Sequence, residues 1–150
     1  MQSKCLWFVL VTAFVAGGSL RGQGAKDAGD DVLKKLQGTW KFVSQEMDGK
    51  PSPKEELAKQ TITFADDKWT VRQDGKVVRA GTHKFDPAKT PAQVDALVTE
   101  GEDKDSTMLG VFELKGDTLK VCFDPKGKQR PTDFSSKAGR MIAVVERKKP

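Results

Sequence analysis

The sequence contains few residues of the kinds that build covalent, metal or catalytic centres. It has two cysteines, Cys5 and Cys122, and a single histidine, His83. Two cysteines exclude a scaffold held by many disulfides and a zinc site built on cysteine. One histidine also argues against a histidine-rich metal site, so we expect neither a metal nor a cofactor. The remaining composition, 37% hydrophobic and 31% charged over 150 residues, is that of one ordinary globular domain.

No apolar run is long enough to cross a bilayer. The longest, Leu6 to Ala16, has 11 residues, whereas a spanning helix needs roughly 18 to 20. Lys4 precedes this run and small residues follow it, which is the pattern of a signal peptide. We therefore predict a signal peptide over residues 1–24 and an exported protein, periplasmic or extracellular. An uncleaved anchor or a buried core helix is the alternative.

Removal of that segment leaves a weakly basic chain without a transmembrane helix. Residues 25–150 carry a net charge of +3, and residues 115–150 alone carry +6. These basic residues alternate with strand residues, and no aromatic-rich RNA motif or recognition helix accompanies them. We interpret them as a solvated face and expect no nucleic-acid partner. Only Cys122 remains as a thiol, and we predict that it packs as a small hydrophobic residue. The sequence does not indicate an oligomeric state.

The rest of the chain shows the pattern of an all-β domain over residues 32–150. We predict a polar linker at 25–31 and a short helix at Val32–Gln37, where Asp30 or Asp31 provides the N-cap. Turn residues such as Asp48-Gly49 and Asp74-Gly75 then separate short strand-like runs. The predicted strands are Thr39–Met47, Thr61–Phe64, Trp69–Arg72, Val77–Phe85, Val94–Thr99, Met108–Leu114, Leu119–Phe123 and Arg140–Arg147.

About eight strands with tight turns predict an antiparallel meander that closes into a barrel. Alternation supports one buried and one solvated face. Leu119, Val121 and Phe123 share a face of one strand, and Trp69 and Val71 share a face of another.

Three motifs carry a family resemblance. They are LQGTWKFVSQEMDGK (36–50), TEGEDKDSTMLGVFELKGDTLKVCF (99–123) and GKQRPTDFSSKAG (127–139). The first resembles the Gly-x-Trp opening of lipocalin barrels, here Gly38 and Trp40. Together the motifs resemble a family of exported, uncharacterised, lipocalin-like bacterial proteins common in planctomycetes. The resemblance implies a lipocalin-like barrel in which a basic residue of the last strand crosses Trp40. Arg147 is the natural counterpart and Arg140 the weaker candidate.

The Trp40–Arg147 pair admits two interpretations, the floor of a ligand pocket or an architectural closure of the barrel. We favour the second, because the corresponding pair in lipocalins is mainly architectural. Candidate ligand-binding residues are instead Phe42, Val121 and Phe123, with Ser44 and Ala143 as small inward residues.

Two hypotheses of function remain open. The first is a barrel that binds a small apolar or amphipathic ligand. The second is a non-enzymatic domain with a filled barrel that binds protein or envelope material through its outer loops.

An enzyme is a distant third hypothesis, because no catalytic constellation is visible. His83 is expected to be an exposed strand residue, on the face opposite Asp86. Ser135 and Ser136 lack a nucleophile elbow. The acidic loop from Glu100 to Asp105 lacks the twelve-residue calcium pattern.

The loop Asp124–Ser136 is long for a hairpin and holds several basic residues. It is either a lid or anion-binding surface, or an irregular crossing anchored by Phe134.

Overall fold

The protein is an eight-stranded antiparallel barrel with one extra short strand and a helix at its N-terminal side. The computed structural model describes residues 23–150, with side chains from Asp27 onward, so the predicted signal peptide lies almost entirely outside the described residues. The all-β prediction is confirmed. The elements are α1 (Gln23–Leu36), β1 (Gly38–Met47), β2 (Lys50–Pro51), α2 (Lys54–Leu57), β3 (Gln60–Ala65), β4 (Lys68–Gln73), β5 (Lys76–Asp86), β6 (Ala92–Glu100), β7 (Thr107–Lys115), β8 (Thr118–Asp124) and β9 (Met141–Arg147).

The barrel is a simple meander that closes on itself. From β3 to β9 each strand pairs with the next, β1 pairs with β3, and β9 returns to pair with β1. The closing register runs from Trp40 opposite Arg147 to Met47 opposite Met141. Short β2 forms a two-residue ribbon with the far end of β1. Because all eight main strands have neighbours on both sides, the barrel has no long unpaired edge.

The strand limits lie close to those predicted from alternation and turn residues. Asp48 and Asp74 adopt positive φ angles of 50°, each followed by a glycine that also has a positive φ. These are the conformations that a tight hairpin turn requires at its two central positions. The Asp-Gly dipeptides therefore end strands at the expected places.

The start of helix α1 differs from the prediction. The expected linker at 25–31 is helical, and the helix begins at Gln23 rather than at Val32. Asp30 and Asp31 are exposed residues inside the helix and do not cap it. The segment shows no apolar periodicity, and its residues from Asp27 to Asp31 are mostly exposed. Its alanine and lysine residues nevertheless favour a helix. The last turns of the helix carry the apolar residues that reach the core: Val32, Leu33 and Leu36.

The two ends of the barrel differ. At the end that we call the closed end, α1 packs against the core, and Leu36 and Trp40 have no exposed surface. At the opposite end, the open end, lie the β4–β5 turn, the β6–β7 loop and the start of β3. Within residues 23–150, no helix has the length and apolar character needed to cross a membrane.

Candidate ligand-binding cavity

The barrel encloses a cavity of about 300 Å³ between the closed end and the open end. Inward-facing residues of all eight main strands line it, since alternate side chains of each strand point to the interior. The walls are mostly apolar: Phe42, Ile62, Phe64, Trp69, Val71, Phe85, Val94, Ala96, Met108, Leu119, Val121, Phe123, Met141, Ala143 and Val145. A concave apolar site of this kind is the usual form of a small-molecule site, and its volume is near the lower limit of the common range.

Glycine at position 110 makes room for one of the aromatic walls. A Cβ atom at Gly110 would lie 2.4 Å from Cδ1 of Phe123, well inside van der Waals contact. Gly110 and Phe123 lie opposite each other in the β7–β8 pairing. The Phe123 ring therefore packs directly on the β7 backbone. This contact fixes the ring at the edge of the cavity.

The three candidate ligand-binding residues all line the cavity. Phe42 comes from β1, and Val121 and Phe123 come from β8. Ala143 of β9 also lines it, as expected from its parity. The prediction for Ser44 was wrong, because Ser44 is exposed.

A β-bulge explains the error at Ser44. Phe42 pairs with Val145 and Ser44 pairs with Val144, so Val43 is an extra residue in β1. One extra residue reverses the alternation beyond it. The inward position after Phe42 is therefore Gln45, which lines the cavity near its open end.

His83 faces the interior of the barrel, and the expectation of an exposed histidine was wrong. Its ring lines the cavity, with its centroid 5.4 Å from that of Phe64 and 4.6 Å from that of Phe85. Its Nε2 atom is buried and has no hydrogen-bond partner. Burial lowers the pKa of His83 below its ordinary value of 6.5, although the nearby Asp67 carboxylate opposes this shift. His83 is thus a largely neutral, polar element of an apolar wall.

Polar side chains form the rim of the cavity at the open end. They are Gln45, Gln60, Arg79, Glu102 and Asp103. Arg79 Nη2 donates to Asp103 Oδ2 at 2.9 Å, which links β5 to the β6–β7 loop. The arginine Cζ lies 5.8 Å from the centroid of the Trp69 ring. Sequence analysis missed Arg79, although its parity with Phe85 in one strand is a signal that places both residues on the inner face.

The Trp40–Arg147 pair lies at the closed end. The Arg147 Cζ is 4.4 Å from the centroid of the Trp40 ring, whereas Arg140 pairs with Asp133. The arginine also donates to the main-chain carbonyls of Lys35 and Gln37 and to the Asp117 carboxylate. Trp40 Nε1 donates to Leu36 O at 3.0 Å. Trp40 does not line the cavity, so the pair holds α1 to the barrel.

Gly38 occupies a position in this arrangement that other residues rarely adopt. Its φ angle is +109°, and a Cβ atom there would lie 3.3 Å from Nη1 of Arg147. Glycine therefore allows the sharp passage from α1 into β1 and the approach of the guanidinium. The glycine of the Gly-x-Trp motif is therefore required by the backbone conformation at this position.

The long loop after β8, residues 125–140, lies on the outer wall of the barrel. Arg130 donates to the carbonyl oxygens of Val94 and Gly110 and pairs with Asp95 at 2.5 Å. Cys122 points outward, is fully buried, and donates from Sγ to Ser135 O. Half-buried Phe134 lies 5.5 Å from Lys120 Nζ. Of the two interpretations of this loop, these contacts support an anchored crossing and not a lid.

Asp124 organises the beginning of this loop. Its carboxylate accepts hydrogen bonds from the main-chain N–H groups of Gln129, Lys126 and Lys128, at distances of 2.8, 2.9 and 3.0 Å. These bonds, that from Gln129 foremost, lower the pKa of Asp124. The basic residues of the loop are thus arranged around a folded turn.

The two serines considered as nucleophiles lie in the loop on the outer wall and do not contact the histidine. Ser136 Oγ donates to Glu46 Oε2 at 2.8 Å on the outer wall, while His83 faces inward. In the part of the chain that the structure describes, no three His, Cys, Asp or Glu side chains converge as a metal site would need. In the acidic β6–β7 loop, Asp103 pairs with Arg79. The geometry therefore offers a cavity with a polar rim and a single imidazole.

Comparison of the chain with protein-family models, with curated proteins and with solved structures finds no match. The resemblance to lipocalin-like exported proteins therefore remains a prediction drawn from the three motifs. The geometry of the cavity is the basis for the functional argument that follows.

Proposed function

We propose that this protein is an exported, non-enzymatic binding module that holds one small apolar or amphipathic molecule inside its barrel. The observation that carries the proposal is the apolar cavity of about 300 Å³ whose rim is polar and reaches solvent. An apolar cavity left unfilled costs stability, because its walls lose dispersion contacts. A ligand with an apolar body restores these contacts. The proposal includes a lipocalin-like relationship, which the meander topology and the Arg147–Trp40 contact support.

The cavity favours this hypothesis over a filled interaction domain. A filled barrel of eight strands has side chains that meet at its axis. Here small and medium residues, including Ala96 and Ala143, occupy inward positions and leave space between the aromatic walls. A binder of protein or envelope material would need no such space.

The first test is native mass spectrometry of the protein purified from its own producing cells. We expect a reproducible excess mass that disappears on denaturation, and the released compound identifies the ligand. A mass equal to that of the bare chain, together with failure to bind a neutral apolar dye such as N-phenyl-1-naphthylamine, would contradict the proposal. The same spectrum gives the N-terminal residue and so tests the predicted signal peptide.

A matched pair of variants locates the binding site. Ala143→Leu adds volume inside the cavity, whereas Ala65→Leu makes the same change at an exposed position of β3. We expect Ala143→Leu to weaken dye binding and Ala65→Leu to leave it unchanged. Equal binding by both variants would place the dye outside the barrel.

A further inference from the structure

Two cavity-lining residues carry buried polar atoms without hydrogen-bond partners. These atoms are Nε of Arg79 and Nε2 of His83. Arg79 is also the one Lys or Arg residue among the described residues that line the cavity. A buried donor without a partner is costly, so such atoms are uncommon and call for an explanation. The Arg79 side chain lines the rim and is 26% exposed, so a ligand group that accepts hydrogen bonds can reach the rest of its guanidinium.

The present partners of Arg79 use few of its hydrogen-bond donors. Its guanidinium has five N–H donors in a planar fork. Nη2 donates to Asp103 Oδ2 at 2.9 Å and approaches Met108 Sδ at 3.4 Å, and a thioether sulfur is a weak acceptor. The cation is held near the Trp69 ring, so it is positioned even before an anion binds.

The Asp103 carboxylate is a weak partner that another anion can replace. Its side chain is 59% exposed, whereas that of Arg79 is 26% exposed. Asp103 lies in a loop whose base is held by hydrogen bonds between Val98 and the pair Asp105 and Ser106. Ion pairs of this exposed type contribute little to stability. The Asp103–Arg79 ion pair therefore contributes little to the stability of the fold, and breaking it costs little free energy.

We propose that Arg79 binds the carboxylate head of an anionic amphiphile, which replaces Asp103 as its partner while the apolar tail enters the cavity. This inference rests on the proposed function and narrows its ligand class to carboxylic acids with an apolar tail. The planar guanidinium fork matches a carboxylate in a bidentate pair, and the Asp103 contact shows that a carboxylate fits there. Arg79 acts in binding alone, and no covalent bond is made or broken.

The placement of the charges at the rim favours an anionic head over a cationic one. Glu102 and Asp103 belong to the exposed loop and face water as well as the cavity. Arg79 belongs to the wall strand β5 and is the more buried group. An ion pair formed with the more buried group is screened less by solvent. Arg79 therefore has the stronger influence on the charge of the head group that binds, and it favours an anion.

The test compares three ligands with the same tail: decanoate, decan-1-ol and decylammonium, each below its aggregation concentration. Affinity is measured by titration calorimetry on the full mature chain. We expect decanoate to bind about tenfold more tightly than decan-1-ol, which is the factor for about one charge-assisted pair. Arg79→Met should remove this preference, so that decanoate and decan-1-ol bind to this variant with similar affinities. Asp103→Asn should strengthen decanoate binding, because the competing carboxylate is gone.

Arg72→Met is the matched control. Arg72 lies on the adjacent strand β4, is exposed, and does not line the cavity. We expect it to retain the decanoate preference of the wild type. Arg79→Lys serves as a second variant if Arg79→Met unfolds: it keeps the charge, loses the planar fork, and should show a reduced preference.

Each other outcome overturns the inference in a distinguishable way. Equal affinities for decanoate and decan-1-ol in the wild type would refute the head-group site and leave cavity binding intact. Tighter binding of decylammonium would assign the head-group site to the acidic loop. A preference that survives Arg79→Met would remove Arg79 from the site. Failure of all three ligands to bind would refute this inference and the proposed function together.

Discussion

Among the described residues, two arginines lie against tryptophan rings, one at the closed end and one in the wall of the cavity, and they differ in how fully their polar groups are used. At the closed end, Arg147 lies over Trp40 and makes hydrogen bonds to two carbonyls and a carboxylate. Near the open end, Arg79 lies beside Trp69 with one carboxylate partner and an unpartnered Nε. The same two side-chain types therefore serve opposite purposes.

The difference distinguishes structural from functional use of a charged group. A cation whose three nitrogens each donate a hydrogen bond, as those of Arg147 do, is part of the architecture, because its removal takes all of these bonds away. A cation with spare donors beside a cavity is available to a ligand. The closed end should accordingly control stability, and the open end should control binding.

The largest expected effect is that of Trp40→Ala at the closed end. Trp40 has no exposed surface, and its indole N–H is hydrogen-bonded to Leu36 O. Truncating a buried tryptophan should lower the free energy of unfolding by about 3–5 kcal/mol. Urea denaturation followed by circular dichroism measures this change. A loss below about 1 kcal/mol would show that the closed end does not carry the fold.

Arg147→Met and Arg79→Met compare the two cations directly. We expect Arg147→Met to cost about 2 kcal/mol, since it removes three hydrogen bonds and leaves the carbonyls of Lys35 in α1 and of Gln37 just after it without their donor. Arg79→Met should cost less than about 1 kcal/mol, as is usual for an exposed ion pair. The two unfolding curves, recorded under identical conditions, test the comparison. Equal losses would mean that Arg79 is structural as well.

Phe42→Ala probes the wall of the cavity, two residues from Trp40 on the same strand. Phe42 is half-buried and borders empty space, so we expect a loss of about 1–2 kcal/mol, below the value for a fully packed ring. The same variant should weaken retention of the ligand that we propose the barrel holds, measured by native mass spectrometry. A loss as large as that of Trp40→Ala with unchanged ligand retention would indicate a packed interior.

His83→Gln has the smallest expected effect, and it appears only in acid. Burial lowers the pKa of His83 in the folded protein, whereas the unfolded chain keeps the ordinary value of 6.5. Below that pH the unfolded state binds the proton more readily, so stability falls as the pH drops from 6.5 through the folded pKa. Unfolding free energies at about pH 7.5 and about pH 5 should therefore differ less in His83→Gln than in the wild type. An equal difference in both proteins would contradict the assignment.

Most of the fold could be predicted from the sequence, because strand alternation and Asp-Gly turns are local signals. Phe42, Val121 and Phe123 were placed on the inner face by their own parity, and each lines the cavity. The start of α1 was missed, since residues 23–31 show no apolar periodicity, and those from Asp27 to Asp31 are mostly exposed. An amphipathic pattern identifies only the part of a helix that packs against something.

The errors at the cavity have a different physical origin. Ser44 was misplaced by the bulge at Val43, and such a bulge depends on the partner strand, β9. His83 and Arg79 were not assigned to the interior because polar residues usually face water. Strand parity puts both residues on the Phe85 face of β5, and the closed barrel shows that this face lines the cavity. Which polar side chains line the cavity therefore depends on how the strands pair in the closed barrel.

The pairing of β1 with β9 makes the first and last strands neighbours. The hydrogen bond between Arg147 and the Gln37 carbonyl joins residues that are 110 positions apart. Such distant pairing is slow to form, because most of the chain must be ordered before the ring can close. A chain that stopped before Met141 would expose the edges of both β1 and β8 to pairing with other chains. The final seven residues of the sheet, Met141–Arg147, thus decide whether the folding chain closes its barrel or remains an open sheet with two exposed edges.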